Sequence, residues 1–151
     1  MNTTYKIRKA EPKDILKLVE LSADHAAYEK ATYRSLGKAP LLEHHLFSEQ
    51  PSFYCLVAEI NGEVVGYTAY MKQFSMLDCA SYIYMDCLYL DEDARGFGLG
   101  EKLVLQIKEH AKELGCTLLQ WQTPSFNTRA IKFYKRLGAS SKSKERFYLS
   151  I

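Results

Sequence analysis

Three glycines within five residues lie between an apolar segment and an amphipathic segment, in the stretch LDEDARGFGLGEKL from Leu90 to Leu103. Gly96, Gly98 and Gly100 would weaken a helix, but glycine lets the backbone N–H groups of a turn approach an anion closely. A dinucleotide-binding loop has the spacing G-x-G-x-x-G and a P-loop has G-x-x-x-x-G-K-[ST]; this stretch has neither. Its pattern is R-x-x-G-x-G starting at Arg95, and it predicts an anion-binding turn.

Two other residues have side chains suited to proton transfer or hydrogen bonding in a reaction. Asp86 interrupts the aromatic segment YIYMDCLYL, and because an unpaired carboxylate is costly to bury, its presence there favours a functional role. The alternatives are an exposed strand face or an ion pair with a lysine or arginine. Tyr134 lies on a predicted helix, where it is either a functional phenol or a core aromatic residue.

Composition excludes several classes of protein. The 151 residues carry a formal net charge of +2 with both signs well mixed, so the chain has no electrostatic surface suited to nucleic acid. The four cysteines show neither C-x-x-C nor zinc-ligand spacing, so we expect reduced core thiols and no metal. The start of the chain resembles no signal peptide and no apolar run is long enough to span a membrane, so we expect a cytoplasmic protein.

Apolar periodicity and turn signals predict a single α/β domain over residues 1–151, in the order β-α-α-β-β-β-α-β-α-β. Asn61-Gly62 predicts a tight hairpin turn, and Asn127 is suited to cap the last helix. The predicted strands are YKIRKA, the two arms of SFYCLVAEINGEVVGYTAYMKQF, YIYMDCLYL, TLLQWQT and ERFYLSI, and the predicted helices are 12–29, LLEHHLF, 99–114 and the segment after Asn127.

With its strand–glycine turn–helix order, the R-x-x-G-x-G segment resembles the acetyl-coenzyme A-dependent N-acetyltransferases of the GNAT superfamily. A second segment, FNTRAIKFYKRLGA, is similar to the family pattern N-x-x-A-x-x-F-Y-x-x-x-G-[AF]. Six segments resemble the diamine, or spermidine/spermine-type, branch: AAYEKA, FYCLVAE, GYTAYM, YIYMDCLYL, RGFGLG and FYKRLGAS. The resemblance implies a mixed, mostly antiparallel sheet of six to seven strands, splayed between the fourth and fifth strands and flanked by about four helices.

The resemblance also implies which residues hold acetyl-CoA. In the family the glycine turn cradles the pyrophosphate of the cofactor, the asparagine lies near its pantetheine arm and the tyrosine lies beside its sulfur. The residues carried over as cofactor-binding are Leu88, Leu90, Arg95, Gly96, Phe97, Gly98, Leu99, Gly100, Asn127 and Tyr134.

For catalysis the resemblance implies direct attack of an amine on the thioester, with Asp86 and Tyr134 as the catalytic residues. The diamine branch has a glutamate in place of Asp86, so the shorter aspartate favours proton transfer through a bridging water. The acceptor site implied by that branch contains Tyr28, Glu29 and Asp86, and also Asp78 after a shift in alignment. Where the branch has a further aspartate, this chain has Cys87, which favours a smaller amine over spermine.

Three functions therefore follow from the sequence. The first is acetylation of a primary amine of a small molecule, either a diamine or polyamine or an amino-acid-like amine. The second is acetylation of a protein lysine or N-terminus, and the third is an acyl-CoA-binding sensor module with weak catalysis. The presence of both Asp86 and Tyr134 favours an enzyme, and the resemblance implies a homodimer.

Overall fold

The computed structural model describes residues 2–151, which form five strands, four α-helices and two short 3-10 turns. In chain order the elements are β1 (Tyr5–Lys9), a 3-10 turn (Pro12–Asp14), α1 (Ile15–Tyr28), α2 (Lys38–Phe47), β2 (Tyr54–Ile60), β3 (Glu63–Ser75), β4 (Ala80–Leu90), a second 3-10 turn (Glu92–Ala94), α3 (Leu99–Glu113), β5 (Leu119–Gln120) and α4 (Thr128–Arg136).

The five strands form one sheet in the order β1-β2-β3-β4-β5, in which the first four strands are antiparallel and β5 is parallel to β4. This mixed sheet with four helices confirms the predicted α/β class. The predicted six to seven strands are wrong, because ERFYLSI is irregular and exposed. Its alternating residues fit a strand, but a strand also needs a neighbour, and the described residues of this chain supply none.

The predicted hairpin turn is confirmed by the backbone between β2 and β3. Asn61 has φ +51° and Gly62 has φ +81°, the two positive angles that a type I′ turn requires. Gly66, close to this turn, is needed for packing, because a Cβ atom there would lie 2.7 Å from the carbonyl oxygen of Tyr89. The glycine thus allows β3 and β4 to approach closely near the end of β4.

Helices cover both faces of the sheet. On one face, Leu99, Leu103 and Ile107 of α3 pack against Tyr70 and Ile83 of the sheet. On the other face, residues of α1 and α2 pack against β2 and β3; the buried side chains there are Leu18, Leu21, Leu46, Cys55, Val57, Val64 and Tyr67. None of the helices among residues 2–151 has both the length and the apolar character of a membrane span.

A buried ion pair joins the sheet to the start of α1. The guanidinium of Arg8 on β1 donates to both carboxylate oxygens of Asp14, at 2.7 and 2.9 Å, and it also pairs with Glu59 on β2. The hydrogen bonds from Arg8 lower the pKa of Asp14 and outweigh the opposing effect of burial. Because removing one member of a buried pair leaves the other charge unpaired, this contact fixes α1 on the sheet.

Strand β4 contains one residue more than its partner needs. In the register with β3, Ala69 faces Cys87 and Tyr70 faces Met85, so Asp86 lies in a β-bulge without a residue opposite. Before the bulge Met85 packs on the α3 side, and after it Leu88 packs on that side. The extra residue therefore reverses the alternation of side chains halfway along the strand.

Beyond the middle of the sheet, β4 and β5 separate. Their pairing consists of Ile83 with Leu119 and Tyr84 with Gln120, and β4 then continues for six residues to Leu90 without β5 beside it. The edge of β4 facing β5 is therefore open over the segment that contains Asp86 and Leu88.

Candidate functional site

The glycine turn after β4 has the backbone geometry of an anion-binding site. Gly96 has φ +88° and Gly98 has φ +78°, and a Cβ atom added at either position would meet nothing within 4 Å. Glycine is thus required by these angles and not by crowding. Among residues 2–151, no backbone oxygen accepts from the N–H groups of residues 96–101, and the first to bond is Lys102 N–H, to Gly98 O at 3.1 Å. These N–H groups and the N-terminus of α3 fit a pyrophosphate.

The side chains of Phe97 and Leu99 pack against other parts of the protein. Leu99 is buried in the core, and Gly100 lies against α4, where an added Cβ would be 3.0 Å from the ring of Phe133. Phe97 is half exposed and stacks on Tyr5 with ring centroids 5.7 Å apart. Leu99 and Gly100 therefore have only their backbone to offer a ligand.

Arg95 connects the glycine turn to the end of β4 and to α1. Its Nε donates to the carbonyl oxygen of Leu90 at 2.9 Å, and its guanidinium lies 4.7 Å from the ring of Tyr28 and 5.6 Å from that of Tyr89. Cations over aromatic faces are attracted by the ring quadrupole. The side chain of Arg95 thus contacts protein, and it fixes the turn beside α1.

Asn127 connects α1 to α4. Its side-chain oxygen accepts from the hydroxyl of Tyr28 at 2.9 Å and from Ala130 N–H at 3.4 Å, and its amide donates to Thr123 Oγ1 at 3.2 Å. The predicted cap is confirmed by the contact with Ala130. Asn127 is buried, so its polar atoms hold α4 against the end of α1.

Tyr134 lies on α4, with its ring 5.1 Å from that of Trp121. Burial and, next, the charge of Glu29 raise the pKa of Tyr134 to about 12. An ordinary thiol has a pKa near 8.5, so full proton transfer from this phenol to a thiolate is uphill by about 5 kcal/mol. Tyr134 can therefore stabilise a developing thiolate by donating a hydrogen bond while keeping its proton.

Asp86 is exposed at the bulge, and no ion pair to it occurs within residues 2–151. Of the two alternatives considered for it, the exposed strand face fits and the ion pair does not. The expectation of a costly buried carboxylate is therefore wrong, and what favours a role for Asp86 is its place at the bulge on the open edge of β4. Its Oδ2 accepts from Cys87 Sγ at 3.4 Å. Burial and, next, the charge of Asp86 raise the pKa of Cys87, so this thiol stays protonated at neutral pH and is unsuited to act as a nucleophile.

Glu29 and Tyr28 lie near Tyr134, whereas Asp78 lies at the far end of β4. The charge of Glu29 contributes to the raised pKa of both Tyr134 and Cys87. Asp78 accepts from Ser75 Oγ at 3.0 Å in the β3–β4 turn. Asp78 precedes Ala80, the first residue of β4, and at about 3.3 Å per strand residue Ala80 is itself on the order of 20 Å from Asp86.

Sequence reasoning missed three aromatic residues of this region. His25 on α1 stacks on Tyr89 with centroids 5.2 Å apart, and its Nδ1 lies 2.9 Å from the hydroxyl of Tyr67. The one signal for His25 in the sequence is its position four residues before Glu29, on the same face of a helix.

Within residues 2–151, no group of three or more His, Cys, Asp or Glu residues is arranged to hold a metal ion.

Comparisons with known proteins show the family and the fold of the chain. Residues 17–139 match the acetyltransferase (GNAT) family. Thialysine N-epsilon-acetyltransferase from Bos taurus is 34% identical over 141 residues, covering 88% of this chain and 82% of the relative. The human spermidine/spermine N(1)-acetyltransferase-like protein 1 is 26% identical, covering 93% of this chain and 21% of that longer protein. A solved aminoglycoside N-acetyltransferase, AAC(6')-Iy in complex with CoA, shares the fold with a TM-score of 0.83 at 14% identity, covering 99% and 97%.

The glycine turn is tested by Gly98→Val. We expect coenzyme A binding to be lost, because a branched side chain at φ +78° strains the turn and fills the space above it. The measurement is calorimetric titration with coenzyme A, with circular dichroism as a check of folding.

Gly37→Val is the matched control for this variant. Gly37 also precedes a helix, with φ +77° and open space around it, so the backbone strain is alike. The control should bind coenzyme A as the wild type does. Undiminished affinity in Gly98→Val would exclude the turn as the pyrophosphate site.

Proposed function

Because the chain belongs to the acetyltransferase (GNAT) family, we propose that it transfers the acetyl group of acetyl-CoA to a primary amine of a small molecule. The observation that carries this proposal is the open edge of β4, which has the carboxylate of Asp86 exposed at the bulge and the glycine turn directly after it. Tyr134 on α4 packs against the same core cluster as Leu88 and Leu90 of this strand. A protein that only bound acetyl-CoA would need neither of the two side chains.

As a member of the family, the chain uses acetyl-CoA as its acyl donor. We assign the pyrophosphate to the backbone of the glycine turn, residues 96–100, and the sulfur to the neighbourhood of Tyr134. The open edge of β4 at Leu88 and Leu90 directly precedes the glycine turn and is assigned to the pantetheine and the thioester. An N–H of Leu88 or a neighbour is our candidate donor to the thioester carbonyl oxygen.

The reaction requires a neutral amine nitrogen. With a pKa of about 10.4, an alkylamine is neutral in about one molecule in 2,500 at pH 7, a cost of about 4.6 kcal/mol. We assign proton removal to Asp86, acting through a water molecule. The ammonium proton passes through this water and Asp86 to the solvent. The neutral amine nitrogen then forms a bond to the thioester carbon, the carbon–sulfur bond breaks, the surplus proton on nitrogen passes to Asp86, and the sulfur leaves as a thiolate beside the Tyr134 hydroxyl.

The acceptor proposed is a small amine with one or two cationic groups. Two carboxylates, Asp86 and Glu29, belong to the described site, and the residue after Asp86 is the neutral Cys87. Thialysine is the substrate named for the 34% identical relative, and it fits such a site better than the tetracation spermine does. Asp78 at the hairpin tip is left out of the acceptor site because of its distance along the strand.

This function is tested by the release of free coenzyme A from acetyl-CoA in the presence of a panel of amines. The panel runs from thialysine and lysine through diamines to spermine. We expect turnover with the lysine-like amines and a lower kcat/KM for spermine, because the site has too few carboxylates for four ammonium groups. Gly98→Val serves as the inactive control.

Two results would contradict the proposal. No release of coenzyme A with any amine, combined with tight binding of acetyl-CoA, would favour the sensor module. No release of coenzyme A with small amines, but acetylation of lysine-containing or N-terminal peptides, would favour a protein substrate.

We also propose that the protein is a cytoplasmic homodimer joined through its C-terminal segment. Residues 140–151 are exposed and irregular, yet Phe147, Tyr148, Leu149 and Ile151 give them an apolar, strand-like pattern. Strand β5 is two residues long and its outer edge is unpaired within residues 2–151. A strand from a second copy would supply the neighbour that this segment lacks.

The cytoplasmic location is supported by the cysteines. All four are free thiols, which suits a reducing compartment.

Sedimentation velocity tests the dimer. We expect the wild type to sediment as a dimer and Phe147→Ser/Leu149→Ser as a monomer, because the substitution removes the apolar surface of the segment. Leu77→Ser, at an equally exposed leucine of the hairpin tip, should stay dimeric. A monomeric wild type at micromolar concentration would contradict the proposal.

A further inference from the structure

His25 on α1 contacts residues of three elements. It is one helical turn before Glu29 on α1, and 13% of its side chain is exposed. Its Nδ1 is 2.9 Å from the Tyr67 hydroxyl of β3, and its ring stacks on Tyr89 of β4 with an interplanar angle of 20°. Its Nε2 is 3.4 Å from a carboxylate oxygen of Glu29. Both nitrogens of the ring therefore have a polar neighbour.

These contacts favour one tautomer of the neutral ring. Tyr67 is buried, and burial raises its pKa, so its hydroxyl keeps its proton. The Glu29 carboxylate can only accept, so the neutral ring carries its proton on Nε2 and Nδ1 accepts from this hydroxyl. That N–H faces Glu29, so the chain of contacts runs from Tyr67 through His25 to the carboxylate.

Glu29 is the member of this chain that reaches the reaction site. It is the C-cap residue of α1 and directly follows Tyr28, whose hydroxyl donates to Asn127 at the start of α4 at 2.9 Å. Its charge also contributes to the raised pKa of Tyr134 and Cys87. A flexible glutamate at a helix end has several rotamers, and ordering it costs conformational entropy. A neutral imidazole can hold the carboxylate in one of them without cancelling its negative charge, which leaves that charge available for a cationic ligand.

We propose that His25, fixed by Tyr67, is a positioning residue that holds Glu29 so that its carboxylate binds the ammonium group of the acceptor amine. The proposal rests on the proposed function and adds to it the residues that determine recognition of the amine. In this arrangement His25 acts through Glu29 and takes no part in moving the acetyl group.

The first test is steady-state kinetics of His25→Phe with the preferred amine of the panel. Phenylalanine keeps an aromatic ring to stack on Tyr89 but removes both nitrogens. We expect the KM for the amine to rise about tenfold or more, as for a lost contact to a charged group. The kcat and the KM for acetyl-CoA should stay within about twofold of the wild type, because the reacting atoms are not contacted.

Two conservative variants separate positioning from packing. His25→Gln has an amide that can donate toward Glu29 and should recover most of the amine affinity. Tyr67→Phe keeps the bulk of the side chain and frees Nδ1, so it should raise the amine KM by less than His25→Phe does. Thermal unfolding of each variant checks that the fold is retained. If His25→Phe unfolds, His25→Gln and Tyr67→Phe carry the test.

The second test is the coupling between His25 and Glu29. If His25 acts through Glu29, the double variant His25→Phe/Glu29→Gln should have the same amine KM as Glu29→Gln alone. If each substitution raises the amine KM independently, so that the two effects multiply in the double variant, the proposal is overturned. An unchanged amine KM in His25→Phe would also overturn it. Proton attachment is read by ¹⁵N NMR of the imidazole, where a ring protonated on Nδ1 would also overturn it.

These results distinguish the positioning role from the function itself. A wild type that turns over no amine contradicts the proposed function and, with it, the role of His25. A wild type that acetylates amines and a His25→Phe variant with unaltered kinetics contradict only the role of His25.

Discussion

The site depends on one extra residue in β4. A regular strand alternates its side chains between two faces, and the bulge at Asp86 reverses that alternation. After it, Leu88 and Leu90 face α3, while Cys87 and Tyr89 face α1. Without the bulge, either the first half of β4 or the second would turn its apolar residues away from the core. Burial on both sides of the sheet therefore fixes the bulge, and the bulge leaves Asp86 without a partner, exposed at the strand edge.

The same reversal allows α1 to join the two halves of the site. Tyr89 faces α1, where it meets His25, and Arg95 of the glycine turn lies over Tyr28 and Tyr89. Tyr28 in turn donates to Asn127 at the start of α4. The end of α1 is thus in contact with the segment assigned to the pyrophosphate and with the helix that carries Tyr134. The buried pair of Arg8 and Asp14 holds the other end of this helix on the sheet.

Local sequence signals predicted the parts of the fold that local forces determine. The hairpin at Asn61-Gly62, the glycine turn and the cap at Asn127 each depend on a few neighbouring residues, and the structure has all three. The bulge at Asp86 depends on the register between β3 and β4, which no segment encodes alone. For the same reason the contacts of His25 with Tyr67 and the inward direction of Arg95 were not predictable. The ERFYLSI segment was predicted as a strand from alternation, although a strand also needs a neighbour.

The most direct test of this account is the pH dependence of turnover in Asp86→Asn, compared with the wild type and with Asp78→Asn. An asparagine at the bulge keeps the shape of the side chain and cannot accept the amine proton. We expect turnover at pH 7 to fall about a hundredfold or more, as when a general base is removed. Turnover should then rise more steeply with pH than in the wild type, approaching about tenfold per pH unit as the fraction of neutral amine grows. Asp78→Asn should behave as the wild type. A profile for Asp86→Asn that matches the wild type in height and shape would contradict the account, because the bulge would then position no base.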